Sequence, residues 1–214
     1  MIRCCIFDLD GTLLNTLDDL AVSCNYALKL QGITPHAVDA YRGFVGDGIG
    51  KLIDRAAPSA TREQKLAVKQ AFNEHYAKHY MDCTAPYEGI EPMLQALKLK
   101  AIRFCVVTNK PHEFAVELIR HMFGDNCFEA VMGATDELSK KPSPEGVRKC
   151  MGKLFLNPHE CVYIGDSDVD VMTAHNAGLK AIGAAWGFRG RQELVEAGAD
   201  FIADAPMQIL KLMH

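Results

Sequence analysis

Residues 4–16 read CCIFDLDGTLLNT. The apolar run Cys4-Cys5-Ile6-Phe7 leads directly into two aspartates separated by one leucine. A short apolar run closed by a turn reads as a buried strand, which places Asp8 and Asp10 at its end. Carboxylates favour water, and two side by side raise each other's cost of ionisation. Residues i and i+2 of a strand project to one side, so both acids face the same place, with Gly11 allowing a tight exit. Some other group must offset that crowding.

The rest of the chain repeats the same plan. Apolar runs at Ile2–Leu9, Ile102–Val107, Phe128–Met132, Cys161–Ile164, Leu179–Ala185 and Phe201–Ile202 read as strands. Between them, Glu91–Leu99, His112–Met122, Pro144–Leu154 and Asp168–Ala177 carry helical patterns, the last ending at Gly178 in the manner of a left-handed C-cap. Strands alternating with helices predict an α/β fold: a doubly wound parallel sheet, Rossmann-like, with helices on both faces.

Residues 17–80 interrupt the alternation, with no convincing strand. Leu17, Leu20, Ala21, Cys24, Ala27 and Leu28 recur at helical spacing, and residues 61–80 form a second long helical pattern with Thr61 as its N-cap. We therefore expect residues 1–15 and 84–214 to form the core, and residues 16–83 an inserted all-helical unit. The segment APYEGI, residues 85–90, is the expected hinge, and Asn15-Thr16 the expected cap of the first inserted helix.

Composition narrows the class. Of 214 residues, 49% are hydrophobic and 23% charged, enough for a real core. The net charge of −4 gives no broad attraction to nucleic acid or an acidic membrane surface. The 8 cysteines form no C-x-x-C pair and several lie inside apolar runs. They read as small buried hydrophobes of a reducing compartment rather than as a disulfide or zinc framework. With no signal peptide and no membrane-length apolar run, the expected location is cytoplasmic, and the expected state a monomer or homodimer. His75 and His79 sit four residues apart without further ligands nearby, which suits a solvated helix face.

In a parallel sheet the carboxyl ends of the strands share one crevice. There the sequence would gather Asp8 and Asp10, then Thr108-Asn109-Lys110, then Gly165-Asp166-Ser167-Asp168. So many acids at one edge call for a cation, and hard oxygen ligands point to Mg²⁺. One of the paired carboxylates is then placed to attack phosphorus while the other acts as acid and base. The repulsion between that anion and a phosphate dianion calls for a lysine as well as the metal. Lys141 is preferred, because Pro142 and Pro144 hold its segment rigid, whereas Lys110 reads as a solvated charge. Thr108 and Asn109 offer donors for phosphate oxygens. Gly46, Asp47 and Gly48 read either as a plain turn or as a loop over substrate, with Arg42 or Lys51 as reader of a carboxylate.

Together these motifs resemble the phosphatase branch of the haloacid dehalogenase superfamily. Its D-x-D-G-T-L stands as Asp8 to Leu13, its motif Thr as Thr108, its K-P-x-P as Lys141 to Pro144, and its G-D-S-x-x-D as Gly165 to Asp170. The resemblance implies Asp8 as nucleophile and Asp10 as general acid and base. It implies Mg²⁺ on the Asp8 carboxylate, the Asp10 carbonyl and Asp166, with Asp170 behind them orienting Lys141. It makes the helical insertion a cap that closes over the site, and FVGDGIGKLI and PYEGI are most similar to the phosphoglycolate phosphatases. Asn15-Thr16 departs from the Asp-Ser common among relatives. The expected activity is hydrolysis of a small phosphorylated metabolite through an aspartyl-phosphate, with 2-phosphoglycolate the best single substrate. A phosphosugar mutase of the same superfamily is the alternative enzyme, distinguished by its need for a bisphosphate activator. A phosphoacceptor signalling module is the alternative of another class, distinguished by a persistent phosphoenzyme.

Overall fold

The computed structural model describes residues 1–213 and divides into two compact units. Unit 1 comprises residues 1–14 and 86–213 of the described chain, and unit 2 residues 15–85.

Unit 1 is built on a six-stranded parallel sheet in the order β5-β4-β1-β6-β7-β8. The strands are β1 (Cys4–Phe7), β4 (Arg103–Pro111), β5 (Ala130–Ala134), β6 (Cys161–Gly165), β7 (Lys180–Ala184) and β8 (Phe201–Ala203). Two short segments, β2 (Leu14–Asn15) and β3 (Ala85–Pro86), pair separately where the chain leaves and re-enters the unit. The helices are α4 (Ile90–Leu99), α5 (His112–Phe123), α6 (Glu145–Leu154), α7 (Asp168–Ala177) and α8 (Gly190–Glu196). The doubly wound parallel sheet read from the sequence is thus present, while α8 and the 3₁₀ turns at Pro158–Glu160 and Pro206–Lys211 were not revealed by the pattern.

β1 is apolar throughout because it lies between β4 and β6 and is covered on both faces. Cys4 and Ile6 join Cys105, Val107, Tyr163 and residues of α6 and α7 in one core layer. On the other face Phe7 meets the rings of Phe104 and Phe128 edge-on at 6.1 and 6.4 Å. The cysteines behave as packing residues: Cys4, Cys5, Cys24, Cys105, Cys150 and Cys161 are buried with free thiols, while Cys83 is exposed and Cys127 half-buried.

Unit 2 holds α1 (Leu17–Leu30), α2 (Ile49–Ala56) and α3 (Arg62–His79), with a 3₁₀ turn over Val38–Gly43. Thr61 caps α3 as expected: its hydroxyl accepts from Gln64 N–H and the Gln64 side chain accepts from Thr61 N–H. Thr16 does not repeat this at α1, where its buried hydroxyl has no hydrogen-bond partner. Asn15 takes the role instead, accepting from Leu17 N–H at 3.3 Å. Buried Asp19 accepts from the N–H groups of Cys83 and Thr84 and from the Thr84 hydroxyl, all within 3.2 Å. His75 and His79 stack at 4.3 Å, and each has a partner, Ser23 and Asp82 respectively.

Candidate active site

The sheet order reverses direction at β1, with β4 and β5 on one side and β6, β7 and β8 on the other. Ligand-binding crevices form at such switch points, outside the carboxyl ends of the strands. Here those ends belong to β1, β4 and β6, and they carry Asp8, Thr108 and Asp166.

Asp8 is fixed by the sheet itself, its N–H donating to Ile164 O at 2.8 Å. Its carboxylate Oδ1 stands 2.8 Å from Lys141 Nζ in a buried ion pair. Lys141 Nζ also reaches Asp170 Oδ1 at 2.6 Å. Asp170 is held in turn by Ser167, whose N–H and hydroxyl donate to its Oδ2 at 3.1 and 2.7 Å. This is the capping box of α7, so a helix-start motif also aims the acid that grips the lysine. Burial alone pushes the Lys141 ammonium down, but Asp170 and Asp8 outweigh it and hold the lysine above its ordinary value. For Asp8, burial and then the charge of Asp170 win over Lys141, and its carboxyl is pushed up to about 7.

Asp166 faces the same space. Its Oδ2 accepts from Phe188 N–H at 2.7 Å, and its Oδ1 lies 3.4 Å from the Thr12 hydroxyl. Gly11, at φ +84, has no alternative: a Cβ there would fall on the Asp166 carboxylate and the Phe188 ring. Burial, followed by the charges of Asp170 and Asp8, raises the Asp166 carboxyl well above its ordinary value.

Carboxylate oxygens of Asp8, Asp166 and Asp170 lie within 4.8 Å of one another. Three buried carboxylates against the single ammonium of Lys141 leave two negative charges uncompensated when all are ionised. An all-oxygen donor set and a local excess of negative charge together fit a hard divalent cation.

One expectation needs correction. Lys110 is no solvated charge: its side chain is 2% exposed, and Nζ donates to both oxygens of Asp10 at 2.9 and 3.2 Å. The Asn109 carboxamide holds the main chain of Lys141, accepting from its N–H at 2.8 Å and donating to its carbonyl at 3.4 Å. Asp168 lies outside the acidic cluster. Ser167 is the N-cap, and Asp168 Oδ1 accepts from Val169 N–H at 2.8 Å.

Thr108 is buried at the end of β4, its hydroxyl accepting from Lys110 N–H at 3.2 Å. Trp186 donates its indole N–H to Thr12 O at 2.9 Å. Gly46, Asp47 and Gly48 form the turn before α2 in unit 2, both glycines at positive φ. Arg55 pairs with Asp47 at 2.5 Å and donates to Phe44 O, while Arg42 pairs with Asp39 on the surface.

Tyr163 escaped the sequence reading. Its hydroxyl lies 2.8 Å from Val107 O and 3.2 Å from Asp170 Oδ1, beneath Lys141. A tyrosine inside a strand buried on both faces is the signal that was available, since a buried phenol needs a partner.

The sequence matches the haloacid dehalogenase-like hydrolase family over residues 5–184, most of the chain. It belongs to that family. Among curated relatives, the phosphoglycolate phosphatase of Mannheimia succiniciproducens is 31% identical, covering 97% of this chain and 96% of its own. A crystal structure of a predicted phosphoglycolate phosphatase from Haemophilus somnus superposes with a TM-score of 0.91 at 28% identity, covering 100% of this chain and 98% of the other. CbbY from Rhodobacter sphaeroides, solved with phosphate, superposes at 0.80 with 25% identity, covering 98% and 96%. Among the described residues no helix of this haloacid dehalogenase-like hydrolase is long and apolar enough to cross a membrane.

Proposed function

We propose that this haloacid dehalogenase-like phosphatase hydrolyses a small phosphomonoester through an aspartyl-phosphate on Asp8, with 2-phosphoglycolate as the favoured substrate. The observation that carries the reading is Asp8 itself: a buried carboxylate at a strand end, gripped by a lysine that Asp170 aims. The substrate rests on relatives named phosphoglycolate phosphatase at about 30% identity over nearly the whole chain.

In this reading an Asp8 oxygen forms a bond to phosphorus as the ester oxygen departs, and Asp10 gives that oxygen a proton. Asp10 then takes a proton from water, whose oxygen adds to phosphorus while the Asp8–phosphorus bond breaks. Lys141 holds its ammonium beside the attacking carboxylate, offsetting repulsion between that anion and the phosphoryl oxygens. Thr108 offers its hydroxyl to one of those oxygens. Asp8, Asp166 and the Asp10 carbonyl would hold Mg²⁺, which supplies positive charge where the transferred group is most negative.

The test is a phosphatase screen over 2-phosphoglycolate, sugar phosphates, nucleoside monophosphates and pyrophosphate, with Mg²⁺ or with chelator. Mg²⁺-dependent phosphate release, highest on 2-phosphoglycolate, is the expected result, together with an acid-stable, hydroxylamine-labile phosphoenzyme missing in Asp8→Asn. Activity that survives excess chelator, or the lack of hydrolysis on every ester, overturns the reading.

A further inference from the structure

Two lysines are buried at the carboxyl edge of the sheet, and the proposed reaction uses one of them. Lys141 is committed to Asp8 and Asp170. Lys110 stands at the other acid, with Nζ 2.9 and 3.2 Å from the two oxygens of Asp10. Its place follows from register. β1 and β4 are neighbours with Phe7 beside Val106, and each strand end carries two functional residues at i and i+2: Asp8 and Asp10 on one, Thr108 and Lys110 on the other. Thr108 and Lys110 both lie within β4 and project to one side, while the chain turns after β1 to bring Asp10 onto Lys110. Asp10 is the more open partner, its side chain 16% exposed against 2% for Lys110, so the acid lies over the ammonium.

A surface salt bridge in this place would mean little, since exposed pairs contribute almost nothing. This one is buried, and a lysine so placed is costly unless its charge is matched. While both Asp10 oxygens are spent on Lys110, neither is turned freely to a departing ester oxygen. A substrate that brings its own anion supplies the missing charge. In an ester of the form phosphate–O–CH₂–COO⁻ the carboxylate lies about 3 Å from the bridging oxygen. The ammonium now touching Asp10 is therefore one contact away from that carboxylate when Asp10 faces the bridge. An uncharged substituent at the same place offers nothing in exchange, and the pair must be broken without replacement.

We propose that Lys110 is the specificity-determining residue of this enzyme: its ammonium passes from Asp10 to an anionic group on the leaving alcohol, so that carboxylate-bearing phosphomonoesters are hydrolysed in preference to their uncharged isosteres. The inference rests on the reading that Asp10 faces the leaving oxygen, and it adds a reason for selectivity that the nucleophile, the metal ligands and Lys141 do not supply. Discrimination of this kind is strong because the rejected analogue offers no negative charge in exchange for that of Asp10.

The test compares kcat and KM on 2-phosphoglycolate and on its carboxamide isostere, with Mg²⁺, for the wild-type enzyme and for Lys110→Met, Lys110→Gln and Lys110→Arg. Lys110→Gln keeps a hydrogen-bond donor for Asp10 without the charge, so it stands in should Lys110→Met fail to fold by thermal melting. The wild-type enzyme is expected to prefer the carboxylate. Both uncharged variants are expected to shrink that preference by about thirtyfold or more, and Lys110→Arg to restore part of it. Equal losses on the two esters overturn the proposal, because Lys110 then acts on Asp10 alone; so does an unchanged preference. A wild-type enzyme that cleaves both equally well also overturns it while leaving the phosphatase reading intact. A wild-type enzyme that cleaves neither overturns the reading beneath it.

Discussion

Lys141 Nζ lies 2.6 Å from Asp170 Oδ1 and 2.8 Å from Asp8 Oδ1, so one ammonium joins the carboxylate at the end of β1 to the acid in the first turn of α7. All three side chains are at most 7% exposed. Buried ions of this kind are weak contributors as a set, but removing one partner exposes the full desolvation cost of the others. Lys141→Met should therefore destabilise the protein by about 3–5 kcal/mol near neutral pH and abolish turnover. The penalty should shrink in acid, where Asp8, its carboxyl pushed up to about 7, takes up a proton. Urea unfolding at pH 5 and pH 8 measures both parts, and a variant as stable as wild type at pH 8 would refute the argument.

Asp8→Asn separates chemistry from folding. The amide matches the carboxylate in volume and removes a charge that its surroundings disfavour, since burial and Asp170 push the Asp8 carboxyl up to about 7. In chelator at pH 8 the variant should melt no lower than wild type. Turnover should fall by at least about a thousandfold, as expected when the nucleophile itself is lost. Near-normal phosphate release from Asp8→Asn would place the nucleophile elsewhere.

The same shifts set a pH dependence whose sign is unusual for carboxylates. Asp8 rises from an ordinary 3.8 to about 7 on folding, and Asp166 rises as well. The folded chain then binds more protons than the unfolded one between these limits, so metal-free stability falls as pH climbs from about 4 to about 7. A divalent cation reverses this where the acids are ionised. Millimolar Mg²⁺ should raise the melting temperature by about 5–10 °C at pH 8 and by much less at pH 5. Asp166→Asn should lose most of the gain. Equal stabilisation at both pH values would argue against these acids as the ligands.

What the sequence disclosed follows from how each feature is encoded. The sheet was legible because a strand covered on both faces must be apolar, as Cys4 to Phe7 is, and because Gly178 and Thr61 mark their helix ends locally. The acidic residues were legible as a group because parallel strands bring their carboxyl ends to one edge. Lys110 was misjudged for a physical reason. Nothing local reports that a charged residue after a strand is buried, and its partner Asp10 lies 100 positions away. The Asn109 carboxamide's bonds to the Lys141 backbone were hidden likewise, since they run across a gap of 32 residues. Thr16 shows that a good capping residue does not guarantee a cap when its hydroxyl is turned into the interior.

Tyr163 tests whether the residue beneath Lys141 supports chemistry or only folding. Its hydroxyl sits between Val107 O and Asp170 Oδ1, and its ring lies 5.9 Å from the Lys141 ammonium. Tyr163→Phe keeps the ring and removes the hydroxyl, which should cost about 1–2 kcal/mol for a buried hydrogen bond. Asp170 would still be held by Ser167 N–H and hydroxyl and would still grip Lys141. Turnover should therefore fall by less than about tenfold, with KM nearly unchanged, because the lysine keeps its aim. Ser167→Ala removes the shorter of the two bonds that hold Asp170, 2.7 Å against 3.1 Å, and should lower kcat more than Tyr163→Phe does. Steady-state kinetics beside urea unfolding of the two variants decide the order, and a larger kcat loss in Tyr163→Phe would make the tyrosine, not the capping box, the group that positions Asp170.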